Sequence, residues 1–376
     1  MTRTTLPSFA RFIAAACLLV VHAAAAPQWT PQSSGVAVRF RGVSAVSDTV
    51  AWASGQNGTI VRTVDGGRVW QAMTIPGAEK LDLRDIDAFD ERVAYALSIG
   101  PGGSSRIFKT VDGGARWETQ FVNQDPKAFF DAMAFWDAER GVAVSDSVDG
   151  QFVIVRTTDG GRTWTRVPSD SLPPALPNEG AFAASGTNVA VYGTDHVWIG
   201  TGAASAARVL RSRDGGRTWA VATTPLPAGS SAGIFSVAFR DALHGIIVGG
   251  DYKKEGEAID NAAVTSDGGA AWTLVNGLSG FRSAVAYLPG AGTSLIAVGP
   301  SGSDYSTDHG QSWTAIEGPG FHAFSVARRG TVGWGVGEGG RIARFDVTGV
   351  RTSSVVQTRS WIPADGARAT AGGAAR

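Results

Sequence analysis

The stretch Thr63–Trp70, TVDGGRVW, decides the architecture, because it returns five more times in the chain. The other copies are TVDGGARW (Thr110–Trp117), TTDGGRTW (Thr157–Trp164), SRDGGRTW (Ser212–Trp219), TSDGGAAW (Thr265–Trp272) and STDHGQSW (Ser306–Trp313), the last with His309 in place of a glycine. The chemistry of the repeat is that of a turn. An aspartate accepts hydrogen bonds from backbone N–H groups just after it. The Gly-Gly pair supplies positive φ angles that join two antiparallel strands tightly. The tryptophan opens the next strand and turns its ring back over the turn. Such a unit needs no ligand, so Asp65, Asp112, Asp159, Asp214, Asp267 and Asp308 are expected to be structural.

The repeat resembles the Asp-box, or BNR repeat. That motif occurs in sialidases, some glycoside hydrolases, sortilin-type receptors and the photosystem II assembly factor family, all of them β-propellers. The resemblance names a hairpin and a fold, and leaves function to be argued from a site.

Working outward, each box sits at the same place in a longer unit. Two strands precede a third that runs into the box, and a fourth begins at its Trp. In the first unit these are 40–46, 50–54, 59–63 and 69–74, with the period-2 alternation and β-branched content of strands. Trp-to-Trp spacings of 47, 47, 55, 53 and 41 residues suit propeller blades. The opening strands overlay as FRGVSAV (from Phe40), LRDIDAF (Leu83), FFDAMAF (Phe129), NEGAFAA (Asn178), GIFSVAF (Gly233), FRSAVAY (Phe281) and HAFSVAR (His322), one more than the boxes. The seventh unit ends without a box, while Gln28-Trp29-Thr30-Pro31 looks like an orphan post-box strand. The expectation is an all-β, seven-bladed β-propeller of Asp-box repeats over residues 27–350, its last blade closed by the N-terminal strand. Such closure removes exposed sheet edges.

Residues 1–26 read as a cleaved signal peptide, with Arg3 and Arg11 as the charged region, Phe12–Val21 as the apolar region and small residues before Pro27. The only cysteine, Cys17, falls inside it, so the mature chain has no thiol chemistry. The implied location is periplasmic or secreted. No later stretch is apolar enough to span a bilayer. Residues 351–376 are Ala/Gly-rich and expected to be disordered. The chain is formally neutral, with 33 basic and 33 acidic residues and no basic tract, which argues against nucleic acid as a partner.

Two motifs are set aside on context. Gly335-Val-Gly337-Glu-Gly339-Gly340 matches a dinucleotide fingerprint, but a strand follows it rather than a helix. Gly229-Ser230-Ser231-Ala232-Gly233 matches a nucleophile elbow, but lies in a loop before a strand. The five histidines lack metal-ligand spacing, and neither a metal nor a cofactor is expected. No Arg-Ile-Pro element or arginine triad supports a sialidase. The overlaid inner strands instead place Arg41, Arg84, Asp85, Asp131, Glu179, Arg282 and His322 around one mouth of the central channel, with Asp146 and Asp251 near the same rim.

With six boxes, seven units, an exported leader and stretches such as LDLRDIDAF and KAFFDAMAFWD, the chain resembles the photosystem II stability/assembly factor family in its bacterial BNR-repeat form. That resemblance implies a non-enzymatic scaffold that assists assembly or stability of an exported or membrane protein partner, itself monomeric. The alternative is a sialidase- or glycosidase-like hydrolase using carboxylates at the channel mouth, such as Asp85, Asp131 or Glu179.

Overall fold

The computed structural model describes residues 27–350 except 291 and 329; the expected signal peptide with Cys17 and the expected tail lie outside the described residues. The described chain is all-β, with seven four-stranded antiparallel sheets and a few single 3-10 turns. Their order is that of a seven-bladed propeller. Blades 1, 2 and 3 span 40–74, 82–122 and 130–166. Blades 4, 5 and 6 span 189–223, 232–275 and 284–316. Blade 7 combines Ala323–Val326, Val332–Val336 and Arg341–Asp346 with Trp29–Ser33 from the other end of the chain, paired Trp29 to Phe345 and Ser33 to Arg341.

Each box folds as its residues dictate. In the first, the Thr63 hydroxyl donates to Asp65 Oδ1 at 2.9 Å, the Gly67 N–H donates to Thr63 Oγ1 at 2.9 Å, and the Val69 N–H donates to Asp65 Oδ1 at 3.0 Å. The same three bonds recur at Asp112, Asp159, Asp214, Asp267 and Asp308. At Asp159 the Thr163 hydroxyl adds a bond to Oδ2 at 2.6 Å, and with the Thr163 N–H it holds the carboxylate down to about 2. The box tryptophans lie over the second glycine: a Cβ on Gly216 would stand 3.3 Å from Trp219 Cζ2, and one on Gly269 3.3 Å from Trp272 Cζ2. The fourth strand starts one residue after the Trp, at Gln71 in blade 1. The Gly337–Gly340 stretch is the hairpin turn between the second and third strands of blade 7.

Between blades, apolar side chains fill the gaps, and a belt of hydrogen bonds ties neighbouring inner strands. Ser325 Oγ accepts from Ala45 N–H, Ser44 Oγ from Ala88 N–H, Asp87 Oδ2 from Phe135 N–H and Ser236 Oγ from Val285 N–H, at 3.0 to 3.1 Å. Gln32 on the closing strand stitches the ring shut. Its Oε1 accepts from Trp70 Nε1 at 3.0 Å and Trp334 Nε1 at 3.1 Å, while its Nε2 donates to Gly66 O at 3.0 Å.

One expected strand is absent. NEGAFAA is not the inner strand of blade 4; that strand is Val189–Tyr192. The stretch Asn178–Gly186 instead forms a strap across the channel mouth. Arg84 of blade 2 donates from Nη1 to Ala183 O at 2.9 Å, Arg41 of blade 1 to Ala184 O at 3.4 Å, and the Ser185 hydroxyl donates to Ser283 O beside blade 6 at 2.8 Å. The residues Ala183-Ala184-Ser185-Gly186 are small enough to lie among the inner strands where a bulky strand sequence would not.

Candidate functional site

A repeated irregularity builds the mouth. The inner strands of blades 1, 2, 3 and 5 each carry a register shift, falling at Phe40/Gly42, Leu83/Asp85, Phe130/Ala132 and Ile234/Ser236. The residue left out of the ladder is Arg41, Arg84, Asp131 or Phe235. A bulge of this kind turns its extra side chain away from the alternating pattern. Counting back from the strand ends, the same position in blades 6 and 7 falls on Ser283 and His322. All six residues line one cavity of about 770 Å³, and the strap supplies its floor through Ala181–Ala184.

This register accounts for the fate of each expected mouth residue. Arg41, Arg84, Asp131, Glu179 and His322 line the cavity. Asp85 and Arg282 do not. Asp85 follows the bulge, so its carboxylate turns toward the next blade and accepts the Met133 N–H at 2.7 Å. Arg282 stands one place before the mouth position, which Ser283 holds. It is wholly buried, its Nε 2.6 Å from Asp304 Oδ2 and its other nitrogens on Phe281 O, Ser279 Oγ and Ser301 Oγ. Asp146 joins the cavity; Asp251 does not, but Tyr252 and Glu255 from the loop that follows it line the rim.

The lining is divided by chemistry. On one side Arg39, Arg41 and Arg84 gather around Asp82, with Arg84 Nε at 2.9 Å and Arg39 Nη2 at 3.8 Å from the carboxylate. Burial and then the charges of Arg84 and Arg39 push Arg41 down to about 10, so this corner is under-neutralised. Burial and then the Arg41 charge hold His322 down to about 4, which keeps it neutral, with Nε2 2.8 Å from Glu338. Facing these groups is an aromatic wall that sequence reasoning missed. Phe182 of the strap stacks on Phe235 at 4.0 Å and 8°, Phe281 meets Phe235 edge-on at 4.6 Å, and Tyr252 stands edge-on to both Phe182 and Phe235. The signal was present in the sequence, since Phe235 sits at the register position of Arg84.

The carboxylates are mostly committed. Glu179 is buried against the guanidinium of Arg208, and its Oε1 also accepts from the Thr201 hydroxyl at 2.6 Å and its Oε2 from Leu176 N–H at 2.8 Å. Asp131 is 1% exposed and lies against Asp146. Burial, then the neighbouring Asp146 charge, raises Asp131 well above the ordinary range; burial raises Asp146 to about 6. Two carboxyls in mutual contact leave no room for a sugar between them, whereas a hydrolase acting on a glycosidic bond needs its pair spread about 5–9 Å apart. Among the described residues no group of three or more His, Cys, Asp and Glu is placed to hold a metal ion.

Comparison with known proteins agrees with the fold. The BNR/Asp-box repeat family matches at residues 304–315, the sixth box. No curated protein sequence matches the chain. Among solved structures, YCF48 bound to a D1 peptide superposes with a TM-score of 0.59 at 17% identity, covering 85% of this chain and 96% of that one. YCF48 from Cyanidioschyzon merolae gives 0.56 at 16% identity, covering 86% and 99%. The GH74 xyloglucanase from Xanthomonas campestris gives 0.59 at 17% identity, covering 86% of this chain and 54% of the enzyme. These likenesses show the fold, a β-propeller, and the repeat match marks one of its Asp-boxes.

Proposed function

We propose that this chain is a binding scaffold that holds an extended segment of a protein partner in the mouth cavity, without turnover. The observation that carries the reading is the cavity's division into an under-neutralised arginine corner and an aromatic wall over a floor made by the chain itself. A peptide offers both an acidic group for Arg41 and Arg84 and an apolar side chain for Phe182, Phe235 and Tyr252. The reading is supported by a propeller of the same fold, YCF48, having been solved with a D1 peptide. It includes export, argued from Arg3, Arg11 and the apolar run Phe12–Val21, and hence an exported or membrane protein as partner to a monomeric scaffold.

The alternative, a carbohydrate-active hydrolase, draws support from the fold likeness to the xyloglucanase and from an aromatic wall able to stack on sugar rings. The commitment of Glu179, Asp85 and the Asp131–Asp146 pair weighs against it. The test is affinity capture with the tagged mature chain, residues 27–376, set beside an Arg41→Ala/Arg84→Ala variant of unchanged thermal stability. A partner retained by the first and lost by the second is the expected result. Capture indifferent to both arginines, or release of reducing sugar from a glycan panel, would overturn the scaffold reading. Arg282 is left out of the variant because it holds blade 6 together from within.

A further inference from the structure

We propose that the strap Asn178–Gly186 is a pH-sensitive latch, seated on the channel mouth by buried carboxyl groups at both of its ends. The seat is built for close approach. A Cβ on Gly180 would fall 1.9 Å from Asp146 Oδ1, and one on Gly186 2.2 Å from Asp85 Oδ1, so only glycine lets the strap main chain lie against these two carboxyls. Asp146 Oδ1 accepts the Ala181 N–H at 3.1 Å. Behind it, Asp131 Oδ2 is buried without a hydrogen-bond partner, and the Asp131 carboxyl lies against the side chain and backbone N–H of Asp146. Each carboxylate opposes the charge of the other, which favours a proton held by the pair.

The surroundings offer little else to neutralise these groups. Arg84 of blade 2 faces Asp131, but its Nε is spent on Asp82 and its Nη1 on Ala183 O. Lys127 is drawn to Asp149, and Glu179 of the strap is held by Arg208. Beside Asp85 on its own strand stands Asp87, which takes Arg328 of blade 7 at 2.5 Å; from blade 3 Asp85 meets the Met133 N–H. All three carboxyls are raised by burial, Asp146 to about 6. A group raised on folding stabilises the closed form fully below its unfolded value near 4, and that contribution is lost as pH rises through the folded value. The strap is therefore held tightest in acid. Lifting it exposes the carboxyls, which release their protons to water.

Opening would remove the cavity floor and Phe182 from the aromatic wall. The bearing on ligand binding rests on the scaffold reading; the latch itself does not. The experiment is hydrogen exchange of the mature chain without ligand, from pH 5 to 8, corrected for the intrinsic rise of exchange with pH. Protection of Ala181–Gly186 should fall about tenfold per pH unit for each carboxyl still titrating, while Val142–Val144 in the core of blade 3 stays level. Asp131→Asn places a permanent N–H donor against Asp146 and should flatten the slope; Asp85→Asn should flatten it in part. Level protection of the strap in the unmodified chain overturns the proposal whether or not the variants fold, as does a slope unchanged in a folded Asp131→Asn. Failure of partner capture would leave this result standing, so the two ideas fail separately.

Discussion

Replacing Gln32 by alanine should cost more than its half-buried position suggests. Gln32 alone accepts the indole N–H groups of Trp70 and Trp334, which are 7% and 0% exposed, and it also donates to the Gly66 carbonyl. Truncation leaves two N–H donors in dry surroundings, each costing about 1–3 kcal/mol unsatisfied. The carbonyl, at a surface turn, can find water. The expected loss is about 2–6 kcal/mol. A domain of this size unfolds with an entropy of about 0.7 kcal/mol per degree, so Tm should fall by roughly 3–9 °C. Differential scanning calorimetry of the mature chain would read it, with Gln71→Ala as the control. Gln71 is exposed and bonded only to Arg62 at 3.2 Å, so its loss should stay within about 0.5 kcal/mol. Amide exchange in Trp29–Ser33 should also quicken in the Gln32 variant. A Gln32→Ala chain as stable as the Gln71→Ala chain would refute the claim that this side chain fastens the ring.

Two further outcomes are expected. Glu179→Ala leaves Arg208 buried without its partner and should cost about 3–5 kcal/mol; a urea midpoint unmoved at constant slope would contradict it. The pH profile of stability should peak at about 4 and fall on either side. The box carboxylates Asp159 and Asp214 are held down to about 2, Asp159 chiefly by Thr163 and Asp214, against its partial burial, by Thr218 and Ser212. Their contribution is present above pH 4 and lost as pH falls toward 2, whereas that of Asp85, Asp131 and Asp146 is lost as pH rises. Urea midpoints that climb steadily to pH 8 would show that the buried carboxyls contribute nothing.

The ring was legible because its punctuation is chemical. Ser/Thr, Asp and Gly-Gly have little choice of conformation, and six copies fix a period from which the seventh blade and its borrowed strand follow. The mouth was legible only where the overlaid strands share the same bulge. Arg41 and Arg84 follow Phe40 and Leu83 in the same register, and both point into the cavity. Arg282 failed because FRSAVAY mimics FRGVSAV while standing one residue out of step, and a one-residue slip sends a side chain to the opposite face. NEGAFAA failed for a related reason. Its alternating small and apolar residues satisfy a strand pattern, yet Gly180 and Gly186 are there for contact with carboxyls that belong to other blades. Long-range contacts of that kind leave no mark on local periodicity.

The borrowed strand also sets an order of events. Trp29 cannot pair until Phe345 exists, so the ring stays open until all the other strands have been made, with blade 1 lacking its neighbour on one side. Contacts so distant in sequence are slow to form. Until they do, the strand WTPQS must avoid pairing with another chain, and Pro31, which has no N–H to offer, makes it a poor template. Closure is then the committing step: before it the blades stand as a row that can fray from either end, and after it no blade can leave without breaking two interfaces at once.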